Sequence, residues 1–292
     1  MADIRRILCP TDFSEFSDIA FRYALSIAQH YGSKLFVEHV VELWQHPEAA
    51  FVPAHYYVEF RSHLLHKGEE ELQRFVKNHA NNGFRPEPVV EQGIAADAIL
   101  ALAEAEEVDL IVMGTHGRRG FDRLMVGSVT ERVLRKASCP VLAVHKPSQD
   151  FLSSGEQQDP VHLNRILFCT DFSENSRQAL SYALSLTAEY NAELALLHVL
   201  KDIPGVSVID EAIAMEQLDN LIPPEKLKAG RIRSMVRKGS AYEQIIQFSL
   251  ETQPDIVIMA VRGRGSLNLA VFGSTTYRVI QLGPCPVLAV HF

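Results

Sequence analysis

At 292 residues the chain is too long for one ordinary small domain and suits two of about 100–200 residues each. Its hydrophobic content of 47% with 22% charged residues reads as globular, and a net charge of −8 at pH 7 argues against a broad sequence-independent grip on nucleic acid, which needs a basic face. No stretch reaches the ~20 apolar residues that cross a bilayer, no signal-peptide pattern opens the chain, and Cys9, Cys139, Cys169 and Cys285 form no C-x-x-C pair, so buried free thiols in the cytoplasm are expected.

In chain order, Ile7-Leu8 marks a first short strand, and Ile19, Tyr23, Ile27 and Tyr31 give a helical stripe. Leu35 to Val41 is a second apolar run, followed by a helix marked by Leu64, Leu72, Phe75 and Val76. Pro86 and Pro88 flank the start of a third strand and place it at a sheet edge, because proline cannot donate to a central ladder. Ile99, Leu102 and Ala103 mark the next helix, Leu110 to Met113 a fourth strand, and Val141 to Val144 a fifth. Runs that are apolar throughout suit strands covered on both faces of a parallel sheet.

The pattern then repeats. Ile7-Leu8-Cys9-Pro10-Thr11-Asp12-Phe13-Ser14-Glu15 returns as Ile166-Leu167-Phe168-Cys169-Thr170-Asp171-Phe172-Ser173-Glu174, 159 residues on. Cys139 through His145 returns unchanged as Cys285 through His291, 146 residues on, so the second copy is 13 residues shorter. The difference falls between His39 and Gly93. Residues 147–162 are polar and proline-flanked and read as a linker between a first domain, 1–146, and a second, 163–292. The fold expected is α/β: two repeated doubly wound domains, each a five-stranded parallel sheet of order 3-2-1-4-5 flanked by helices. The last strands, Pro140 to Val144 and Pro286 to Val290, would be exposed apolar edges unless they pair with each other.

Ligands of an open parallel sheet bind at the carboxyl ends of its strands, where strand order reverses. After the fourth strand comes Met113-Gly114-Thr115-His116-Gly117, and after nine intervening residues Gly127-Ser128-Val129 opens a helix, the pattern G-x2-G-x9-G-S. Glycines permit positive φ and carry no Cβ, so backbone N–H groups can converge on an anion. A helix start adds unpaired N–H groups and the positive end of its dipole. The loop suits a polyphosphate, although it is neither a Walker A loop nor G-x-G-x-x-G. Ser128 with Glu131 also reads as a capping box, and a capped helix needs no ligand.

The spaced glycines with their terminal Gly-Ser, Asp12 soon after the first strand, and the Pro-Val-Leu-Ala-Val final strand together resemble the universal stress protein family. The resemblance covers nearly the whole chain as two consecutive domains. It implies ATP binding by copy one, where the signature is intact. Phosphate contacts are implied from Gly117, Gly127, Ser128 and Val129, and ribose or base contacts near Met113 and Gly114. Pro10, Asp12 and a backbone group at Val40 are implied around the adenine and ribose, and Asp12 could instead help to hold a magnesium ion with the phosphates. In copy two Ala260 replaces the first glycine and Cys169 stands where copy one has Pro10, so Asp171, Gly263, Gly273 and Ser274 form a weaker site.

Arg118, Arg119 and Arg123 after the loop could neutralise a triphosphate or be ordinary exposed loop arginines. His63 and His66 share a helix face, but no cysteine or paired carboxylate completes a metal set, so a solvated helix is expected and no metal site. His39 and His198 recur at a strand end, for a structural hydrogen bond or a contact to the crevice. No nucleophile–base pair is visible, so ATP turnover is expected to be slow or absent. The function expected is a nucleotide-dependent binding or signalling module in stress response. A weak ATPase or nucleotidyl-handling enzyme, and a module whose sites are relics, stay open, as do a homodimer of the whole chain and a protein partner.

Overall fold

A strand covered on both faces has no solvent side, and the apolar runs behave that way. Strands β1 (Arg6–Pro10), β2 (Lys34–Val41), β3 (Glu87–Gln92), β4 (Leu110–Gly114) and β5 (Val141–Val144) belong to the first copy. Their counterparts are β6 (Arg165–Cys169), β7 (Glu193–Leu200), β8 (Ile232–Lys238), β9 (Ile256–Ala260) and β10 (Val287–Val290). The helices of copy one are α1 (Glu15–Tyr31), α2 (Tyr57–His79), α3 (Ala95–Ala105) and α4 (Ser128–Lys136). Copy two contributes α5 (Glu174–Tyr190), α6 (Val208–Asp219), α7 (Ala241–Thr252) and α8 (Ser274–Leu282). The structure is a computed structural model and describes residues 4–43, 52–79, 83–117, 126–145, 162–201, 208–223, 231–262 and 273–291.

All ten strands join one sheet in the order β3-β2-β1-β4-β5-β10-β9-β6-β7-β8. Within each copy the pairing is parallel in the order 3-2-1-4-5. Side chains alternate between two layers. Ile7, Cys9, Leu35 and Val37 pack under α1 and α2, whereas Leu8, Phe36, Ile111 and Met113 pack under α3 and α4. Burying a phenylalanine such as Phe36 contributes roughly 1.5–3 kcal/mol. All four cysteines are buried and free, and burial pushes the Cys139 and Cys285 thiols up to about 12. Pro88 sits on edge strand β3, as its missing N–H requires.

The turn from β1 into α1 is built by side-chain hydrogen bonds. Thr11 Oγ1 accepts from the Phe13 N–H at 3.0 Å, and Asp12 Oδ1 accepts from the Ser14 N–H at 3.1 Å. Ser14 then caps α1 by accepting from the Ser17 N–H. Phe13 is held at φ 61°, and the same turn in copy two holds Phe172 at φ 60°. His39 Nδ1 donates to Thr11 O at 2.9 Å, and His198 to Thr170 O at 2.8 Å, so both histidines lock this turn. Of the two roles left open, the structural one is observed.

The copies meet where β5 and β10 run antiparallel, with Leu142 opposite Leu288. These are equivalent residues of the two copies, so a pseudo-twofold axis passes between them. On one side of the sheet α1 and α5 flank that axis. His30 Nε2 lies 3.1 Å from Glu189 Oε1, and the Tyr31 hydroxyl donates to Glu189 Oε2 at 2.7 Å. On the other side His291 reaches the Leu134 carbonyl at 2.7 Å. Among the described residues, no helix is long and apolar enough to cross a membrane.

Candidate functional site

Strand order reverses between β1 and β4, and the predicted residues gather at the carboxyl ends of these two strands. Pro10 ends β1 and pairs with Glu38; Met113 and Gly114 end β4. Asp12 lies two residues beyond Pro10, Gly117 three beyond Gly114, and Gly127, Ser128 and Val129 open α4. Val40 stands on β2, two residues past the Pro10–Glu38 pair. In a parallel sheet the N–H and C=O of alternate residues face the same neighbour. Glu38 O accepts from the Thr11 N–H on the β1 side, so Val40 turns its backbone pair the same way, beyond the end of β1.

The two ends of the loop after β4 are tied together. Gly127 N–H donates to Thr115 O at 2.7 Å, and the Thr130 hydroxyl donates to Gly114 O at 2.8 Å. Copy two repeats both bonds, from Gly273 to Val261 O at 2.9 Å and from Thr276 to Ala260 O at 3.0 Å. Thr130 and Thr276 were not among the expected site residues. Their signal was present in the repeated spacing, Ser-x-Thr at each helix start.

The capping box does not form. The cap of α4 is Gly127, with no side-chain hydrogen bond, and Ser128 is the first helical residue. Glu131 instead pairs with Arg135 at 2.7 Å. The physical reason is the Gly127–Thr115 bond, which turns the chain into the helix one residue earlier and leaves the Ser128 hydroxyl outside capping geometry. Among the described residues, the first N–H groups of α4 therefore have neither an intrahelical acceptor nor a side-chain cap. The same holds at Gly273, the cap of α8, whereas α1 and α5 are capped by Ser14 and Ser173.

The glycines act by close approach. None of Gly114, Gly117 and Gly127 has a left-handed φ. A Cβ on Gly114 would stand 2.9 Å from the Phe16 backbone, so this glycine lets α1 pack on the end of β4. A Cβ on Gly117 would stand 2.6 Å from Asp12 Oδ2, which brings the Asp12 carboxylate directly against the loop. His116, beside it, stacks near Phe16 at 5.0 Å and has its imidazole pKa lowered by burial.

In copy two Asp171 Oδ1 accepts from the Ser173 N–H as Asp12 does from Ser14, and Gly273 and Ser274 open α8. Gly263 lies outside the described residues, as do Arg118, Arg119 and Arg123. Ala260 is buried at the end of β9, and Asn175, in the place of Phe16, contacts the Arg262 carbonyl. Among the described residues no group of three or more His, Cys, Asp or Glu could hold a metal. His66 faces Glu69 and Glu70 on the exposed side of α2.

One further residue stands out against this arrangement. Glu38 has no exposed surface, and among the described residues neither of its carboxylate oxygens has a hydrogen-bond partner. Burial, assisted by the charge of Glu91, pushes its carboxyl up to about 8. Its trace in the sequence is a single acidic residue inside the apolar run Leu35 to Val41, where copy two has Leu197.

The sequence relationships agree with this architecture. The universal stress protein family matches residues 3–145 and again 162–291. The chain belongs to that family. The universal stress protein MJ0531 of Methanocaldococcus jannaschii is 36% identical over 149 residues, covering 50% of this chain and 85% of the relative. The universal stress protein Rv2623 of Mycobacterium tuberculosis is 27% identical over 217 residues, covering 70% of this chain and 69% of its own. The crystal structure of a universal stress protein from Archaeoglobus fulgidus matches 99% of this chain and 97% of its own, with a TM-score of 0.67 at 23% identity. That match speaks to the fold alone, over nearly the full length of both chains.

Proposed function

We propose that the first-copy crevice binds ATP and that the bound state adjusts how this universal stress protein engages a partner in the cytoplasm. The observation that carries the proposal is the uncapped start of α4: among the described residues no side chain caps Ser128 and Val129, and the Gly127–Thr115 bond holds their N–H groups against the end of β4. Such a terminus is a ready anion site, because unpaired N–H groups and the helix dipole act together. Gly127 adds backbone without a side chain, and Asp12 can reach a ribose or a magnesium ion carried by the phosphates. Pro10, Met113 and Gly114 form the floor against which a base would lie, and the Val40 backbone pair offers one donor and one acceptor to its edge.

Magnesium in this scheme arrives with the nucleotide, since Mg2+ is commonly held by one or two carboxylates plus phosphates. Copy two, with Asp171, Gly263, Gly273 and Ser274, is proposed as the weaker site because Ala260 and Cys169 alter its floor. The 147–162 segment is proposed as the linker between domains 1–146 and 163–292. The test is calorimetric titration of the full chain with MgATP, together with mass spectrometry of ligand released on denaturation. About one ATP per chain is expected. Absence of adenine-nucleotide binding at millimolar concentrations would defeat the reading.

A further inference from the structure

A buried polar group without a partner is rare in a folded protein and calls for a cause. Glu38 is such a group, fully buried and with both carboxyl oxygens unpaired among the described residues. Its place is informative. Alternation puts Glu38 on the same sheet face as Phe36, and Phe36 packs with Met113 in the layer beneath α3 and α4. Its cross-strand partner is Pro10, and Val40 follows it by one pleat on the same face. The carboxyl therefore lies on the side of the sheet on which α4 opens, buried beside Pro10 at the end of β1. Copy two carries Leu197 at this position, buried in the corresponding layer, so the fold itself does not require an acid there.

We propose that Glu38 is a base-reading group of the first-copy nucleotide site, its carboxyl pairing with a purine edge that sets a ring nitrogen beside an amino group, as adenine does. The inference rests on the nucleotide-binding role proposed above. A carboxyl held in its neutral form offers one donor and one acceptor side by side. That pair complements the adenine edge, whose ring nitrogen accepts and whose amino group donates. Guanine also meets a neutral acid, through its O6 acceptor and N1–H donor, so the two bases part on ionisation: a carboxylate, with acceptors only, loses the adenine pair but still matches guanine's N1–H and amino donors. Burial and the charge of Glu91 keep the Glu38 carboxyl neutral at pH 7 by raising it to about 8.

The charged groups on the surrounding elements do not reverse this. On β3, Glu91 reinforces neutrality and Glu87 is paired with Lys34. Glu42, past the end of β2, accepts from the Ala95 N–H, Asp12 is engaged in the β1–α1 turn, and Asp97 of α3 is paired with Arg132 of α4.

The test is calorimetric binding of MgATP and MgGTP to the full chain, as wild type, Glu38→Gln and Glu38→Leu, near pH 7 and near pH 9, with a thermal melt of each. The amide of Glu38→Gln keeps a donor and an acceptor, so it should hold ATP within about threefold and show no preference lost to pH. Wild-type ATP affinity should fall about tenfold from pH 7 to pH 9 relative to Glu38→Gln, because the ionised acid loses its donor. Glu38→Leu should melt higher than wild type, yet bind ATP about tenfold more weakly and lack the shift of base preference towards GTP that the wild type shows between pH 7 and pH 9. If Glu38→Leu binds ATP with unchanged affinity and base preference, Glu38 does not read the base, although the nucleotide site stands. If wild type binds no purine nucleotide, both proposals fall together.

Discussion

Gly114 and Gly117 carry the same side chain for different reasons, and substitution separates them. At Gly114 an added methyl meets the Phe16 backbone at 2.9 Å, and backbone cannot step aside cheaply. Gly114→Ala should cost about 1–3 kcal/mol of stability, the usual penalty for overpacking. At Gly117 the methyl meets the far end of Asp12 at 2.6 Å, and a carboxylate on an intermediate-exposure turn can swing away. Gly117→Ala should therefore leave stability within about 1 kcal/mol, since reduced freedom of the unfolded chain offsets some strain. It should still weaken ATP binding, because Asp12 leaves the crevice. Denaturant titration paired with calorimetry checks both, and equal loss of stability in the two variants would refute the distinction. The spacing of these glycines was legible from the chain alone, but their purpose was not. Which neighbour approaches a glycine is a property of tertiary packing, and Phe16 lies nearly a hundred positions away. The same limit explains Ser128, whose capping pattern was local while the bond that overrides it, from Gly127 to Thr115, spans the loop.

At the level of elements, helical periodicity and the paired prolines were enough to place α1, α2 and edge strand β3, because each signal is local and repeats along the chain. The joint between α1 and α2 could not be read that way. His79, in the last turn of α2, meets Asp18 in the first turn of α1, with Arg22 beside it. The Asp18 hydrogen bond raises the His79 pKa, with a smaller addition from the Phe75 carbonyl. Burial opposes the shift at Asp18, but its bonds and charge interactions with His79 and Arg22 hold it below the usual carboxylate value. The signs then follow. The histidine contribution is fully present below its unfolded value of about 6.5 and is lost as pH rises through the elevated folded value. The aspartate contribution is present above about 3.9 and is lost as pH falls through the depressed one. The joint is strongest between these limits, near pH 5 to 6. His79→Gln should cost about 1 kcal/mol near pH 5.5 and much less near pH 9. Melting curves across that range test it, and a pH-independent cost would show that the charge pair contributes nothing.

At the scale of the whole molecule, pairing of β5 with β10 converts two exposed edges into the middle of a ten-stranded sheet. The repeated Val-Leu-Ala-Val made such pairing foreseeable, since an apolar edge must be covered. What sequence symmetry did not foretell is how fusion breaks that symmetry on the axis itself. His30 and Glu189 are equivalent positions that face each other, with His30 stacked at 4.6 Å on Tyr190. Two identical chains would meet there as His with His or Glu with Glu, so a symmetric pair of one single-domain chain could not place an acid opposite a base at this point. The apolar seam should bind the halves into one cooperative unit. Heating the full chain should give a single calorimetric transition whose van't Hoff and calorimetric enthalpies agree. Leu288→Asp would bury a carboxylate opposite Leu142, at a cost of about 3–5 kcal/mol, the range for an unpaired buried charge. That cost falls on the seam, where Leu288 packs in one apolar layer with Leu142 and with Tyr23 and Ile27 of α1, and it is largest for copy two, whose own strand β10 carries the charge. The variant should therefore melt in two steps, with the second-copy half first, and two resolved transitions already in the wild type would show that the shared sheet does not couple the domains.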